Sequence, residues 1–400
     1  MIDNSLIDYA VLHRNEDVAR LLLSARDKSI DMSLVAQQIE GWRTACEKWP
    51  TLSVCDRAWY PPRLNREQSS SEITARYKAH LFASRGSRMA DLTGGMGIDS
   101  LMAVATGATM DYVECDATLC KGMEHNLSVL GVEGCNAHCA ESMAWIAASR
   151  CTYDTIYIDP ARRDAHGGRV SAFEQCTPNL LQHLDMLLTH CRELVVKASP
   201  MIDLATAQQQ LGHHLRAIHI VAVKGECKEV LFVCSASPAD EATTIACVDL
   251  RDSTPHADFS LCQPFCFTQQ EEAAATPLYC QTMGRYLYEP HSALMKGGPF
   301  NLISERYGLA KLARNSHLYT SDRCLTEFPG RTFEVLQTVT LNAKNIRQVL
   351  PEGRAHVVSR NYPLSAEALQ QQLKLREGGD RFVIATTIGR QRQGFLCIKK

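Results

Sequence analysis

The stretch "ADLTGGMGIDS", residues 90–100, decides how the rest of the chain is read. A short apolar run ends in Asp91, three glycines (Gly94, Gly95 and Gly97) follow within four residues, and a helix-like segment begins at Ile98. A glycine turn between a strand and a helix bares backbone N–H groups to a ligand, so the loop reads as a cradle for a nucleotide-like cofactor. A pyrophosphate turn needs glycines spaced G-x-G-x-x-G, the third for close helix packing. Here Gly95-Met96-Gly97 is followed at that third place by Ser100, and the acid Asp91 precedes the turn. That combination suits a cofactor with a cationic amino group better than a dinucleotide.

Working outward, residues 87–235 alternate between two periods. "RMADLT", "MDYVE", "CNAHCAE", "TIYIDP" and "ELVVKAS" read as strands, and "GIDSLMAVAT", "TLCKGMEHNLSVLG", "TPNLLQHLDMLLTHC" and "MIDLATAQQQLGHH" as helices. "RAIHIVAVKGECKEVLFVCSA" reads as two strands around a polar turn. Alternating βα units imply a parallel sheet with helices on both faces, and the closing hairpin adds an antiparallel last strand. The expected fold is α/β: a seven-stranded Rossmann-like sheet with an antiparallel last strand.

Residues 1–85 read as a helical region, with Leu12, Val18, Leu21 and Leu22 at helical spacing. Ser69 with Glu72 fits a capping box for a helix from about Ser70 to Phe82, just short of the glycine loop. Residues 239–280 read as an extension and linker, with strands at "TTIACVDLRD" and "ADFSLCQ" and the linker proper at "QQEEAAATP". Beyond 280, two short helices and then a strand, a helix, a Gly-Gly turn and a strand predict small α+β units.

Four hundred residues allow two to four domains. No run approaches the ~18–20 consecutive apolar residues of a membrane span. The N-terminus lacks the basic segment and apolar core of a secretory signal, so a cytoplasmic protein is expected. The 17 cysteines are scattered without a CxxC pair, which argues for buried thiols and against a metal site. The net charge of −2 hides an asymmetry: residues 281–400 hold 18 Lys and Arg against 9 Asp and Glu. A basic C-terminal third on an acidic body points to a polyanionic partner.

"DLTGGMG" resembles the D-x-G-x-G-x-G loop of class I methyltransferases, with Thr93 in the first glycine's place. The resemblance implies S-adenosylmethionine as cofactor, held by Asp91, Thr93, Gly94, Gly95 and Gly97. Glu114, at the end of the second strand, would accept hydrogen bonds from the ribose hydroxyls, and Glu141-Ser142 would lie near the adenine. "IYIDPARRD", residues 156–164, places Asp159-Pro160 at the carboxyl edge of the sheet, where ligands bind. Amine and nucleic-acid methyltransferases carry Asp/Asn-Pro-Pro-aromatic there, whereas this chain has Asp159-Pro160-Ala161-Arg162. Arg162 and Arg163 could hold a phosphate or stack on a base. Lys197 in "VVKASPM" is either a functional cation or a strand-end lysine extending toward solvent. Asp159, Pro160, Arg162 and Lys197 are the candidate catalytic residues. A pyrimidine C5 reaction is disfavoured, because no cysteine follows that strand and Cys191 lies at its opposite end.

The joined pattern "QSSSEITARYK … DLTGGMGID … IDPARR … VVKASPM … ECKEVLF" resembles a bacterial group of class I methyltransferase-like proteins. The resemblance implies a helical region over 1–85, a catalytic domain over 86–238, the extension over 239–280, a ferredoxin-like segment over 281–325 and a THUMP-like, RNA-binding domain over 326–400. A more distant similarity, to trimethylguanosine-synthase-like enzymes, implies an exocyclic amine such as guanine N2 in tRNA or rRNA as acceptor. The altered Asp-Pro-Ala-Arg segment keeps open a catalytically silent RNA-binding module, and a methyltransferase for proteins or small molecules, with the basic region serving assembly, is a further alternative.

Overall fold

The computed structural model describes residues 2–24, 30–162, 173–237, 241–250, 259 and 263–400. They form two compact units. The first comprises Met1–Val223, Lys228–Thr243 and Leu250–Gln263, and the second Lys224–Cys227, Thr244–Asp249 and Pro264–Lys400.

In the first unit, helices α1 (Asn4–His13), α2 (Val18–Ser24), α3 (Met32–Lys48) and α4 (Glu72–Phe82) precede a sheet. Its strands are β1 (Arg88–Asp91), β2 (Thr109–Glu114), β3 (Cys135–Cys139), β4 (Tyr153–Ile158), β5 (Cys191–Ala198), β6 (Leu215–Val223) and β7 (Glu226–Cys234), in the order β6-β7-β5-β4-β1-β2-β3. Pairs β1–β2, β1–β4, β2–β3 and β4–β5 are parallel, and β7 runs antiparallel to β5. The connections are α5 (Ile98–Val104), α6 (Ala117–Leu130), α7 (Ser142–Ala148), α8 (Leu180–His190) and α9 (Leu204–Leu211). Central strands read as continuous apolar runs because helices cover both faces. Ile156, Leu194, Val195, Val196, Leu231 and Phe232 are fully buried. The helix ends follow local chemistry. Asp116, Asn179 and Asp203 accept from first-turn N–H groups, and Gly131 ends α6 in the left-handed conformation.

The N-terminal helices share their core with the sheet unit. Asn126 of α6 accepts the Trp59 N–H (2.7 Å) and donates to the Trp59 carbonyl (3.0 Å), while a Cβ on Gly122 would lie 2.1 Å from the Trp59 ring. Ala45, Trp49 and Ala75 pack in one cluster with Met96 and Ile98 of the glycine loop and α5.

Several expectations are corrected. The first helical stretch is two helices, and its buried residues are Leu6, Ile7, Ala10 and Leu21, while Leu12 is 79% exposed. The cap of α4 is Ser71, which accepts from Thr74 N–H; Glu72 is buried and holds Thr51 and Arg76. "QQEEAAATP" contains a helix, Gln269–Ala274, started by a Thr268/Glu271 capping box. A strand forms at Thr244–Leu250, whereas "ADFSLCQ" falls largely outside the described residues.

The second unit contains an eight-stranded sheet. Its Tyr286–Pro290 strand pairs antiparallel with Gly330–Val339, which in turn pairs with Gln391–Lys399. The segments expected to be ferredoxin-like (281–325) and THUMP-like (326–400) therefore share one sheet. Among the described residues no helix is long and apolar enough to cross a membrane.

The cap assignment is testable. Ser71→Ala should cost about 1 kcal/mol in urea unfolding. Ser69→Ala should stay within about 0.5 kcal/mol of wild type.

Candidate active site

The glycine loop is fastened on both sides. Leu92 N–H donates to the Tyr157 carbonyl of β4 and Gly94 N–H to the Val113 carbonyl of β2 (both 3.0 Å). Gly94 has to be glycine for packing, since a Cβ there would sit 2.1 Å from the Tyr112 ring. Gly97 (φ +80°) has Met123 Sδ 2.4 Å from its Cβ position. Gly95 differs. Its φ is +53°, yet nothing lies nearer than 3.8 Å to the Cβ site, so it opens onto space.

That space is a cleft of about 770 Å³ at the carboxyl edge of the sheet, within the range of small-ligand pockets. Its walls include Thr93, Gly94, Gly95, Gly97, Glu114, Glu141, Ser142 and Asp159, and also Ser69 and Ser70 from the turn before α4. Glu114 accepts from the Gly95 and Asp116 N–H groups (2.8 Å each), which points its carboxylate along the loop. Glu141 caps α7 through the Met143 and Ala144 N–H groups, and Ser142 follows it on the cleft wall.

Asp91 is placed otherwise than a direct ligand to a cofactor amine would be. It is buried, does not line this cleft, and its oxygens accept from Thr93 N–H (3.1 Å) and Ser100 Oγ (2.8 Å). Burial, then the neighbouring Asp99, pushes its pKa up to about 7. Ser100, at the missing third glycine, thus completes the support behind the loop.

Thr93, in the first glycine's place, accepts the Asp159 N–H through Oγ1 at 2.6 Å. It joins the glycine loop to the end of β4. Asp159 Oδ2 accepts from Lys197 Nζ at 2.5 Å. Burial draws the Lys197 pKa down, but Asp159, Glu229 and Asp99 outweigh it and hold the pKa above the usual lysine value. Lys197 is therefore a paired cation and not a strand-end lysine in solvent. Pro160 is buried, and Ala161 pairs with Thr177. The side chain of Arg162, and residues 163–172 with Arg163, lie outside the described residues.

Sequence reading missed the charges behind this pair. Lys78 of α4 is buried and reaches Asp99 (2.8 Å), Glu229 of β7 (3.2 Å), Ser70 Oγ (2.8 Å) and Tyr157 OH (3.3 Å). Glu229 Oε1 is buried without a hydrogen-bond partner. The available signals were a lysine beside Ala75 and Ala79 on a buried helix face, and a Lys-Glu opening the apolar run "KEVLFV". Among the described residues no group of three or more His, Cys, Asp and Glu could hold a metal ion.

A glycine loop after β1, an acid after β2, Asp-Pro after β4 and an antiparallel β7 define the class I methyltransferase architecture. Similarity to known proteins agrees. A crystal structure of a Porphyromonas gingivalis W83 protein assigned as a methyltransferase superposes with a TM-score of 0.84 at 34% identity, covering 99% of this chain and 98% of that one. An uncharacterized S-adenosylmethionine-dependent methyltransferase of Mycobacterium tuberculosis (strain H37Rv) is 25% identical over 328 residues, 81% of this chain and 83% of its own. Residues 286–329 match a ferredoxin-like domain family and 330–399 a THUMP domain-like family. The chain belongs to this family of S-adenosylmethionine-dependent methyltransferases with C-terminal ferredoxin-like and THUMP-like segments.

The raised Asp91 pKa has a fixed sign in stability. Between the unfolded value near 3.8 and about 7 the native state holds the extra proton, so stability falls as pH rises through that window. Denaturant titrations from pH 4 to 8 should show wild type losing stability relative to Asp91→Asn, by at most about 1.4 kcal/mol per pH unit.

Proposed function

We propose that this protein transfers the methyl group of S-adenosylmethionine to RNA, and that its cleft holds the donor on the loop from Thr93 to Gly97. The donor, when bound, supplies an electrophilic methyl on a sulfonium. The observation that carries the reading is the hydrogen bond from Asp159 N–H to Thr93 Oγ1, which fixes the donor loop and the acceptor edge to each other. Reactions of this type depend mainly on such positioning.

The residues present fit the donor. Gly95 leaves its Cβ position open toward the cleft, Glu114 presents an oriented carboxylate to ribose hydroxyls, and Glu141 with Ser142 borders the adenine side. Asp91 acts from behind, by holding Thr93 and Ser100. Asp159 lies on the cleft wall, where an acceptor would enter.

RNA as acceptor is supported by the excess of 18 cationic over 9 anionic residues in 281–400 and by the likeness of residues 330–399 to a THUMP domain. In that region Lys344, Arg347, Lys374 and Arg376 line a cavity of about 330 Å³.

Calorimetry should give S-adenosylmethionine binding that weakens at least about tenfold in Glu114→Ala, a loss of about 1.4 kcal/mol. Incubation with labelled donor and total RNA from a deletion strain should place label in RNA, and Asp159→Ala should reduce transfer by about a hundredfold or more. RNA affinity should fall steeply as salt is raised. Label found only in protein or in small molecules would refute the RNA reading.

A further inference from the structure

We propose that the acceptor atom is an oxygen, the 2′-hydroxyl of a ribose, and not a nitrogen of a base. This rests on the reading that the substrate is RNA, whose chain hydroxyls are the 2′-OH groups.

Five ionisable side chains from five elements converge where β4, β5 and β7 meet α4 and α5. Asp159 pairs with Lys197 at 2.5 Å, and Lys78 bridges Asp99 at 2.8 Å and Glu229 at 3.2 Å. Such clusters are poor stabilisers, because removing the charges from water costs about as much as pairing returns. This cluster is also not sealed. Its outer member, Asp159, is 35% exposed and lies on the cleft wall, with Lys197 immediately behind it at 12% exposure.

An amine attacks a sulfonium methyl with its own lone pair and becomes cationic, so a lysine ammonium beside it raises the barrier. A hydroxyl is a weak nucleophile until its proton is being taken, and the oxygen is then partly anionic. Lys197 stabilises that charge, and the carboxylate it orients receives the proton.

The step balances as follows. The ribose oxygen forms a bond to the methyl carbon while the carbon–sulfur bond breaks, and its electron pair goes to sulfur, giving a neutral thioether. The hydroxyl proton passes to Asp159 and from there to water. Lys197 keeps its proton throughout.

From Asp159 to Ala172 the sequence has no Phe, Tyr or Trp where base-amine methyltransferases carry an aromatic residue after Asp-Pro. Among the described residues lining the cleft, the aromatic rings are those of His183 and of Tyr157, which is buried with its hydroxyl on Asp99 and Lys78.

The test uses the full-length protein, methyl-labelled donor and RNA from a deletion strain, followed by alkaline hydrolysis. A 2′-O-methyl blocks cleavage at its own linkage, so label should appear in alkali-stable dinucleotides, and the same dinucleotides should be missing from deletion-strain RNA and present in the parent. Label confined to mononucleotides means base methylation; it overturns this inference and leaves RNA as substrate. No label in RNA overturns the RNA reading itself. Lys197→Met should lower transfer by about a hundredfold while calorimetry returns donor affinity within about twofold of wild type. Transfer at the wild-type rate in a folded Lys197→Met protein refutes the role assigned to the lysine.

Discussion

One hydrogen bond holds the glycine loop and the end of β4 in register. Thr93 stands where a glycine would give the loop its freest turn, and its hydroxyl accepts the N–H of Asp159 at 2.6 Å. A glycine there could not hold the end of β4 in this way. The loop therefore gives up some backbone freedom, and the end of β4 that leads into Asp159 is set from the glycine loop. Asp91 secures the same threonine from beneath through its backbone N–H, so the acid, the hydroxyl and the strand end form a single rigid link. Pre-organisation of this kind matters most when little covalent chemistry is left for the protein to do.

The sheet was legible in the sequence because its signals are local. Period-two and helical-period runs describe interactions within a few residues, and the strands and helices they predicted between 87 and 235 formed there, while α7 (Ser142–Ala148) was not among those predicted. Asp159 and Glu114 were legible for the same reason, as strand-end acids on a parallel sheet. Lys78, Asp99 and Glu229 were not, because what makes them a group is tertiary. They are 21 to 151 residues apart in sequence and meet only when α4 lies over the sheet edge. Asp91 shows the converse: its place before the loop was read correctly, but its burial against Ser100 made it a support and not a wall of the cleft. The helix at Gln269–Ala274 was passed over because its alanines and glutamates looked like a linker, although Thr268 and Glu271 spell the start of a helix.

The departure from an aromatic motif after Asp-Pro looked in sequence like a weakened site. In the structure the same edge of the cleft carries a charge pair, Lys197 with Asp159.

The reciprocal pair of hydrogen bonds between Asn126 and the Trp59 backbone has a further consequence for how this protein can be divided. It stitches the helical region to α6, and with it the turn that brings Ser69 and Ser70 to the cleft and the helix that brings Lys78 beneath it. A fragment starting at residue 86 would keep every recognisable loop and still lack one wall of its pocket. The helical region thus belongs to the same compact unit as the sheet and walls the same cleft. A boundary drawn by sequence pattern alone would cut through the site.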